Sequence, residues 1–239
     1  MCTMNSTRGK SREANDDSRD APAYAVAEAA HYLRLPAATL RSWALGRQYP
    51  TAEGGARFTP LIRPASRKPP VLSFWNLIEA HVLRSLRIDH GVSVPALRSA
   101  LNYAEKELGI DRLLLRPELR TNAGSVFLDK YGALIELSAS GQLAMQRVLQ
   151  EHLKRIEWDR SNFPVQLYPF LPAGGTEDDR PIVIDARLAF GRPVLASKSI
   201  STRAIADRID AGEALSNVAA DYGLERSEIE QAAIYERAA

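Results

Sequence analysis

Apolar residues recur at helical spacing over residues 26–33, and a second short helical pattern covers Ala37–Leu45. Pro36 separates the two segments, because proline lacks a backbone N–H and disfavours helical geometry in the residue before it. Two helices joined by such a break are typical of a helix-turn-helix, whose second helix enters the DNA major groove. Pairs of short helices around a proline also occur in ordinary cores, so this pattern alone leaves DNA binding open.

The second helical segment is expected to bury Leu40 with Trp43 or Ala44 and to expose its small and polar residues. Small residues let the backbone approach the floor of a groove, and an arginine reaches a phosphate or a guanine edge. We therefore predict that the outward face of this helix contacts DNA. The residues on that face are Ala38, Thr39, Arg41 and Ser42.

The stretch Gly46–Pro70 is rich in glycine, proline and arginine, and Phe58–Ile62 within it is predicted to form a short strand. Strands that flank such a loop form a wing, which reaches the DNA backbone or the adjacent minor groove. Residues 21–75 carry seven basic and two acidic side chains, a net charge of +5, whereas the whole chain has a net charge of +2. A local basic excess is typical of a phosphate-binding surface, and an arginine-rich solvated loop is the alternative. The basic residues predicted to contact DNA are Arg34, Arg47, Arg57, Arg63, Arg67 and Lys68.

Two longer helices are predicted after the wing. Ser73 is a candidate N-cap for a helix over Phe74–Asp89, and Pro95 stands in the first turn of a helix that extends to Leu108. The first helix has an apolar stripe, in which a histidine is expected to be a core residue rather than a ligand. The stripe consists of Leu77, Ile78, His81, Val82 and Leu86.

The middle of the chain changes character. Residues 113–137 contain strand-like runs, with a hairpin turn predicted between residues 126–128 and 133–137. A long helix is predicted from Ser140 to about Asp159, followed by an edge strand over Phe163–Phe170. The segment 172–180 combines proline, glycine and acidic residues and is predicted to be a linker.

The last part of the chain is predicted to form a small hairpin and three short helices. Apolar runs at 182–184 and 193–195 form the hairpin, and helices follow over 202–211 and 215–222. Ser227 and Glu230 have the spacing of a capping box that opens the last helix. This second helix-turn-helix pattern is acidic, because residues 181–239 carry seven basic and nine acidic side chains.

These elements predict an α+β protein that is mostly helical, with a winged helix-turn-helix first, strands and one long helix next, and a small helical unit last. The expected boundaries follow the changes in composition. They are a disordered tail over 1–20, a winged helix-turn-helix over 21–109, a hairpin and long helix over 110–171, a linker over 172–180 and a helical domain over 181–239.

The front of the chain resembles the MerR-like winged helix, in which a helix-turn-helix, a basic wing and a helix pair follow in this order. The resemblance rests on Val-Ala-Glu-Ala-Ala-His-Tyr-Leu at 26–33, Thr-Leu-Arg-Ser-Trp at 39–43, and residues 77–94. The wing is longer than is usual in that family and lacks its compact arginine-plus-aromatic signature. An effector domain with paired cysteines is also missing, so the resemblance does not imply metal sensing.

The back of the chain resembles a small helical domain of bacterial antitoxins that are paired with PIN-like ribonuclease toxins. The resemblance rests on residues 184–195, 211–215 and 219–224. With both halves considered, the chain is similar to a VapB-type antitoxin. This resemblance implies a homodimer that binds double-stranded promoter DNA, represses its own promoter and neutralises a PIN-like ribonuclease. Arg192 is expected either to pair with an acid in the core or to contact a partner.

The sequence contains no recognisable catalytic or metal-binding constellation. Its four histidines lack metal-ligand spacing, and its one cysteine, Cys2, cannot form an intrachain disulfide. We therefore expect no enzymatic activity, no cofactor and no metal. No apolar run approaches the roughly 18 residues that span a bilayer, and the cysteine usage favours a cytoplasmic location.

Two other functions fit the same sequence. One is a stand-alone MerR-like transcription regulator with a sensor or protein-binding C-terminal half. The other is an adaptor whose two helix-turn-helix units bind only proteins. DNA binding distinguishes the antitoxin and the stand-alone regulator from the adaptor. A toxin gene next to this one distinguishes the antitoxin from the stand-alone regulator.

Overall fold

The computed structural model describes residues 17–51, 54–89, 93–107, 109, 111–116, 153–170 and 179–237, and these confirm the α+β class. The strands are β1 (Tyr24–Ala25), β2 (Arg47–Thr51), β3 (Gly54–Phe58), β4 (Ser66–Arg67), β5 (Pro70–Leu72), β6 (Ile156–Trp158), β7 (Pro164–Leu167), β8 (Ile182–Asp185) and β9 (Val194–Leu195). The helices are α1 (Val26–Tyr32), α2 (Ala37–Leu45), α3 (Phe74–Arg84), α4 (Val94–Glu107), α5 (Thr202–Asp210), α6 (Leu215–Tyr222) and α7 (Arg226–Arg237). Single helical turns cover Ser85–Asp89, Leu113–Leu115 and Ala189–Gly191.

The turn between α1 and α2 is made by a left-handed residue. Arg34 has a φ of 52°; its amide donates to the carbonyl of His31, and the amide of Leu35 donates to that of Ala30. This pair of bonds is a Schellman turn, with arginine at the position that glycine usually occupies. The helix stop predicted at Pro36 is therefore wrong, because α1 has already ended and Pro36 instead is the N-cap residue of α2.

The predicted wing consists of two small β structures. The strands β2 and β3 form an antiparallel hairpin directly after α2, and β4 and β5 form another that pairs with β1. The strand predicted over Phe58–Ile62 is wrong, because β3 ends at Phe58. The amides of Leu61 and Ile62 instead donate to the carbonyl of Trp43, which ties this segment to the end of α2.

Helix α3 forms the centre of the front half. The Ser73 hydroxyl accepts from the Asn76 amide, and the Asn76 side chain accepts from the Ser73 amide, so the predicted N-cap is confirmed. Every residue from Phe74 to Leu83 is buried, which is more than the predicted stripe. The reason is that β5, β7 and the 113–115 turn all contact α3. The helix predicted to reach Asp89 continues after Arg84 as a π-helical turn.

A partly buried ion cluster holds separate segments against α3. The guanidinium of Arg112 donates to Glu79 at 3.0 Å and to Asp20 at 2.9 Å. Burial raises the pKa of the Glu79 carboxyl, and the charge of Arg112 opposes this effect. Arg19, next to Asp20 in the chain, forms an ion pair with Asp159 at 2.7 Å. The described N-terminal segment and the β6–β7 turn are thereby fixed to the helix-turn-helix unit.

The strands β6, β7, β8 and β9 form an antiparallel sheet in that order. The long helix predicted to reach Asp159 is wrong at its end, because Ile156–Trp158 pairs with β7 as a strand. The edge position predicted for residues 163–170 is also wrong, because β7 pairs on both sides; Pro164 is tolerated since it begins the strand beside a register shift. The hairpin predicted at 126–137 and most of the long helix lie outside the described residues.

The helices α5, α6 and α7 pack together behind this sheet around a second apolar core. The hairpin of β8 and β9 and the three helices agree with the predicted order. The capping box predicted at Ser227 and Glu230 is wrong, because α7 already begins at Arg226. The carboxylate of Glu228 accepts from the Glu225 amide at 2.8 Å, while Glu230 pairs with Arg226. We call residues 179–237 the C-terminal unit.

Among the described residues, no helix combines the length and the apolar character needed to cross a membrane.

Candidate nucleic-acid interface

Helix α2 has the two-sided character that was predicted for a recognition helix. Leu40, Trp43 and Ala44 are buried against the core, whereas Ala38 and Arg41 are exposed. Thr39 and Ser42 are half-buried and lie beside this exposed face. The burial of one side fixes the helix, and the other side is accessible to a groove.

The start of α2 is also suited to an anion. Its N-cap residue is Pro36, and no side chain caps its first turn. The first amides of a helix lack intrahelical acceptors and carry the positive end of the helix dipole. Protein–DNA complexes use such helix starts to hold phosphates.

The β2–β3 hairpin directly follows α2 in the chain. The chain leaves α2 through Gly46, which has a φ of 76°, and Arg47 follows with an exposed side chain. Arg57 lies in β3, opposite Gln48 in the register. The hairpin therefore carries a basic residue on each strand.

The remaining basic residues of the predicted wing differ in their surroundings. Arg63 forms ion pairs with Glu105 of α4 and with Asp111, and its pKa is raised, mainly by the hydrogen bond to Glu105. Arg67 and Lys68 lie at the exposed turn between β4 and β5. The charge of Arg63 is therefore compensated within the chain, and Arg67 and Lys68 are better placed to attract phosphate.

Arg34 does not lie on the predicted DNA-binding face. Its guanidinium carbon lies 4.6 Å from the centre of the Phe170 ring and 5.8 Å from that of Tyr235. Its Nε and Nη2 atoms are buried, and burial lowers the pKa of this side chain. The prediction that Arg34 contacts DNA is corrected on these grounds: its guanidinium makes cation–π contacts with Phe170 and with Tyr235 of the C-terminal unit.

Further bonds join α1 to the C-terminal unit. The Tyr235 hydroxyl donates to the carbonyl of Tyr32 at 2.9 Å, and Nε2 of His31 lies 3.1 Å from a carboxylate oxygen of Glu236. The other oxygen of Glu236 accepts from the Thr202 hydroxyl at 2.5 Å. Sequence reasoning missed this contact, because its partners are about 200 positions apart and no local pattern relates them.

The predicted partner-binding residue, Arg192, lies on the loop between β8 and β9. Its side chain is exposed, and its Nε is 4.0 Å from a carboxylate oxygen of Glu28 in α1. The Tyr24 hydroxyl donates to the carbonyl of the preceding residue, Gly191, at 2.9 Å. Arg192 is therefore directed along the surface at which α1 meets the C-terminal unit.

Two of the four histidines, His31 and His81, lie in the described segments. His31 contacts Glu236, and His81 is buried in α3 as predicted for a core residue. His90 and His152 lie outside the described residues. Over the described ranges, no group of three or more histidine, cysteine, aspartate or glutamate side chains is arranged to hold a metal ion.

Two family models match separate parts of the chain. The model described as "Putative DNA-binding HTH domain" matches residues 22–101, which contain α1, α2, the hairpin and most of the α3–α4 pair. The model described as "Protein of unknown function (DUF433)" matches residues 182–235, which extend from β8 to α7. The first match agrees with the helix-turn-helix that the sequence pattern and the fold define.

Relatives from Mycobacterium tuberculosis match nearly the whole chain. A protein named "Putative antitoxin VapB45" is 28% identical, over 89% of this chain and 93% of its own length. Another, named "Uncharacterized protein Rv2308", is 24% identical over 90% of each chain. A crystal structure of Rv2018 has a TM-score of 0.62 at 25% identity and covers 89% of this chain and 98% of its own. The matches and the fold together support an antitoxin-like helix-turn-helix protein.

Proposed function

We propose that this chain is the antitoxin of a toxin–antitoxin pair and that it represses its own promoter by binding double-stranded DNA. The observation that carries the proposal is helix α2. One side of it is locked into the core by Leu40, Trp43 and Ala44, and the other side exposes Ala38 and Arg41 next to a basic hairpin. A similarity to a protein named as an antitoxin, over most of both chains, supports the toxin partner.

In this proposal DNA binding belongs to the front of the chain. Helix α2 enters a major groove with Ala38, Thr39, Arg41 and Ser42 facing the bases or the adjacent phosphates. Arg47 and Arg57 on the hairpin, with Arg67 and Lys68, contribute phosphate contacts. Such contacts add affinity without sequence preference. A homodimer is proposed because helix-turn-helix proteins usually read two half-sites related by symmetry.

Toxin binding belongs to the C-terminal unit and its junction with α1. The PIN-like ribonuclease proposed as the toxin needs a basic groove for its RNA substrate. The helices α5 to α7 carry an excess of acidic side chains, which suits such a groove and repels DNA. Several of these carboxylates already pair with arginines of the same unit, among them Asp221 with Arg208 and Glu230 with Arg226. The electrostatic potential of the C-terminal unit is therefore only weakly negative. Shape complementarity and apolar contacts must supply most of the affinity for the toxin.

The test is co-expression with the product of the gene adjacent to this one. We expect the two proteins to co-purify, the neighbouring product to arrest growth when expressed alone, and this chain to restore growth. Restoration should persist in the Arg41→Ala variant, because Arg41 is assigned to DNA and not to the toxin. A neighbouring product that neither binds this chain nor arrests growth would contradict the antitoxin proposal.

One observation favours the stand-alone regulator as a second candidate. A cleft of about 530 Å³ lies between α1 and α5, and its lining includes Glu28, His31, Arg192, Arg203 and Glu236. A volume of this size accommodates a small molecule. If the chain is a ligand-responsive regulator, the small-molecule fraction of a cell extract should change its promoter affinity in the absence of any toxin. The antitoxin proposal predicts no such change.

A further inference from the structure

Phe190 is an exposed aromatic side chain on the loop between β8 and β9. Its relative exposure is 93%, whereas Ile234, the next most exposed large apolar side chain in the described segments, is 55% exposed. Single exposed apolar residues are common and need no explanation by themselves. Two properties of the loop that carries Phe190 distinguish this residue from an ordinary exposed apolar residue.

The first property is an unfavourable backbone. Ala189, Phe190 and Gly191 have φ values of 48°, 57° and 76°, so three consecutive residues are left-handed. This conformation is uncommon outside glycine and is a true outlier for a bulky residue. Non-glycine residues persist in it only where the surrounding structure enforces it, and such sites cluster at functional positions.

The second property is that the loop is held in place from both ends. The Tyr24 hydroxyl of β1 donates to the Gly191 carbonyl, and a Cβ at Gly191 would lie 2.1 Å from that hydroxyl oxygen. At the other end the buried carboxylate of Asp185 accepts from the guanidinium of Arg187 at 2.8 Å and from Gln166 at 3.0 Å. The ring is therefore presented by a rigid loop, and a partner need not order it on binding.

The charges around Phe190 favour a protein over a nucleic acid. Arg187 is paired with Asp185, and Arg192 has Glu28 within 4.0 Å. In the adjacent cleft Arg203 is paired with Asp207 at 2.9 Å. A surface whose arginines already face carboxylates attracts phosphate weakly. Arg192, however, keeps an exposed guanidinium that can donate to a carboxylate once an interface excludes water.

We propose that Phe190 is the anchor through which this chain docks onto its toxin, with the ring in an apolar pocket and Arg192 paired to a carboxylate at the rim of that pocket. Buried aromatic residues and arginines are the side chains that dominate protein–protein binding energy. The inference rests on the proposed antitoxin function and assigns the contact surface that the function requires. It places that surface on the β8–β9 loop, away from the exposed face of α2.

The experiment measures the affinity of the purified full-length chain for the purified product of the adjacent gene. The Phe190→Asn variant removes the ring and keeps a residue type that tolerates left-handed backbone. We expect it to weaken binding about ten-fold or more, as for a central interface residue. Phe190→Trp keeps an aromatic anchor and should retain more of the affinity than Phe190→Asn. Ile234→Asn is the comparison variant, since it also removes an exposed apolar side chain of the C-terminal unit, and it should lose less affinity than Phe190→Asn.

Folding is followed in the same samples by thermal unfolding. Phe190→Asn should melt at or above the wild-type temperature, because it relaxes the backbone and breaks no buried contact. Unchanged affinity of Phe190→Asn would overturn the inference and leave the antitoxin function standing. A wild-type chain that binds no neighbouring product would overturn both. Loss of self-association or of promoter binding in Phe190→Asn, with toxin binding intact, would assign the ring to a second copy or to DNA and contradict the inference.

Discussion

The hydroxyl of Tyr235 donates a hydrogen bond to the backbone carbonyl of Tyr32 at 2.9 Å. The first residue lies in the last helix of the chain and the second ends α1, so one bond joins the two ends of the described fold. Both side chains are buried, and burial raises the pKa of Tyr235 well above its ordinary value. The hydroxyl therefore stays protonated and serves as a donor throughout the physiological range.

We predict that Tyr235→Phe destabilises the chain by about 1 kcal/mol, because the carbonyl of Tyr32 loses a buried donor while the ring contacts remain. Equilibrium unfolding in denaturant measures the change. Tyr24→Phe, which removes the bond to the carbonyl of Gly191, provides a comparison at the same junction. Equal stability of Tyr235→Phe and the wild type would show that the bond contributes nothing to holding α1 against the C-terminal unit.

Arg34 and Arg41 are predicted to have opposite roles. Arg34→Ala should lower the free energy of unfolding by about 1–2 kcal/mol, because it removes the cation–π contacts of the guanidinium with Phe170 and Tyr235. Its DNA affinity should remain that of the wild type. Denaturant unfolding and DNA titration are carried out on Arg34→Ala and on Arg41→Ala. Weakened DNA binding in a stable Arg34→Ala protein would return Arg34 to the interface.

Arg41→Ala should weaken DNA binding without lowering stability, since its side chain is exposed on α2. A phosphate contact would weaken binding to all sequences and reduce the salt dependence by about one unit, and a base contact would relax specificity at one position by roughly 1–3 kcal/mol. Titrations at several salt concentrations distinguish the two. Affinity and salt dependence that both match the wild type would exclude Arg41 from the interface.

The wing residues are predicted to contribute unequally. Changing Arg67 and Lys68 together to alanine should weaken binding to promoter and random DNA alike, because both lie exposed among prolines where base recognition is hard to organise. Arg63→Ala should have a smaller effect, since Glu105 and Asp111 already compensate its charge. Competition titrations with promoter and random duplexes provide the comparison. A loss confined to promoter DNA would mean that the wing reads sequence.

The stability contributed by the Phe190 loop should depend on pH in the acid range, because the carboxylate of Asp185 must be ionised. Burial tends to raise the pKa of this carboxyl, but hydrogen bonds from Arg187 and Gln166 outweigh it and hold the pKa below its ordinary value. The stabilisation is therefore present above the unfolded-state pKa of about 3.9 and is lost as pH falls through the lower folded-state pKa. Asp185→Asn should cost roughly 1.5 kcal/mol at neutral pH.

The stability difference between wild type and Asp185→Asn should shrink as pH falls below about 4. Denaturant unfolding of both proteins over the acid range measures it. A difference that stays constant with pH would show that the charge of Asp185 does not stabilise the loop.

Local patterns predicted much of this fold. Ser73 and the apolar residues after it determine the start of α3, and the alternation of buried and exposed residues in α2 follows directly from helical spacing. Two of the errors occurred where distant contacts override local preference. Ile156–Trp158 continues a helical pattern but pairs with β7, and Pro164 marks a strand start inside a sheet instead of an edge.

The candidate interface was predictable only in part for the same reason. The outward side of α2 depends on neighbours in sequence, so Ala38 and Arg41 were placed correctly on the exposed surface. Arg34 was not, because its burial depends on Phe170 and Tyr235, more than 130 positions away. The left-handed backbone at Phe190 also has no signal in the sequence, since neither alanine nor phenylalanine favours that conformation.

Whether α2 is a recognition helix is tested by binding of the full-length chain to a duplex from its own promoter, compared with a shuffled duplex of equal length. We expect the promoter duplex to bind about a thousand-fold more tightly or better at physiological salt, as is usual for specific DNA-binding proteins. We also expect that Arg41→Ala reduces this affinity while Arg34→Ala does not. Equal binding to both duplexes, or no binding to either, would contradict the assignment of α2 as a recognition helix.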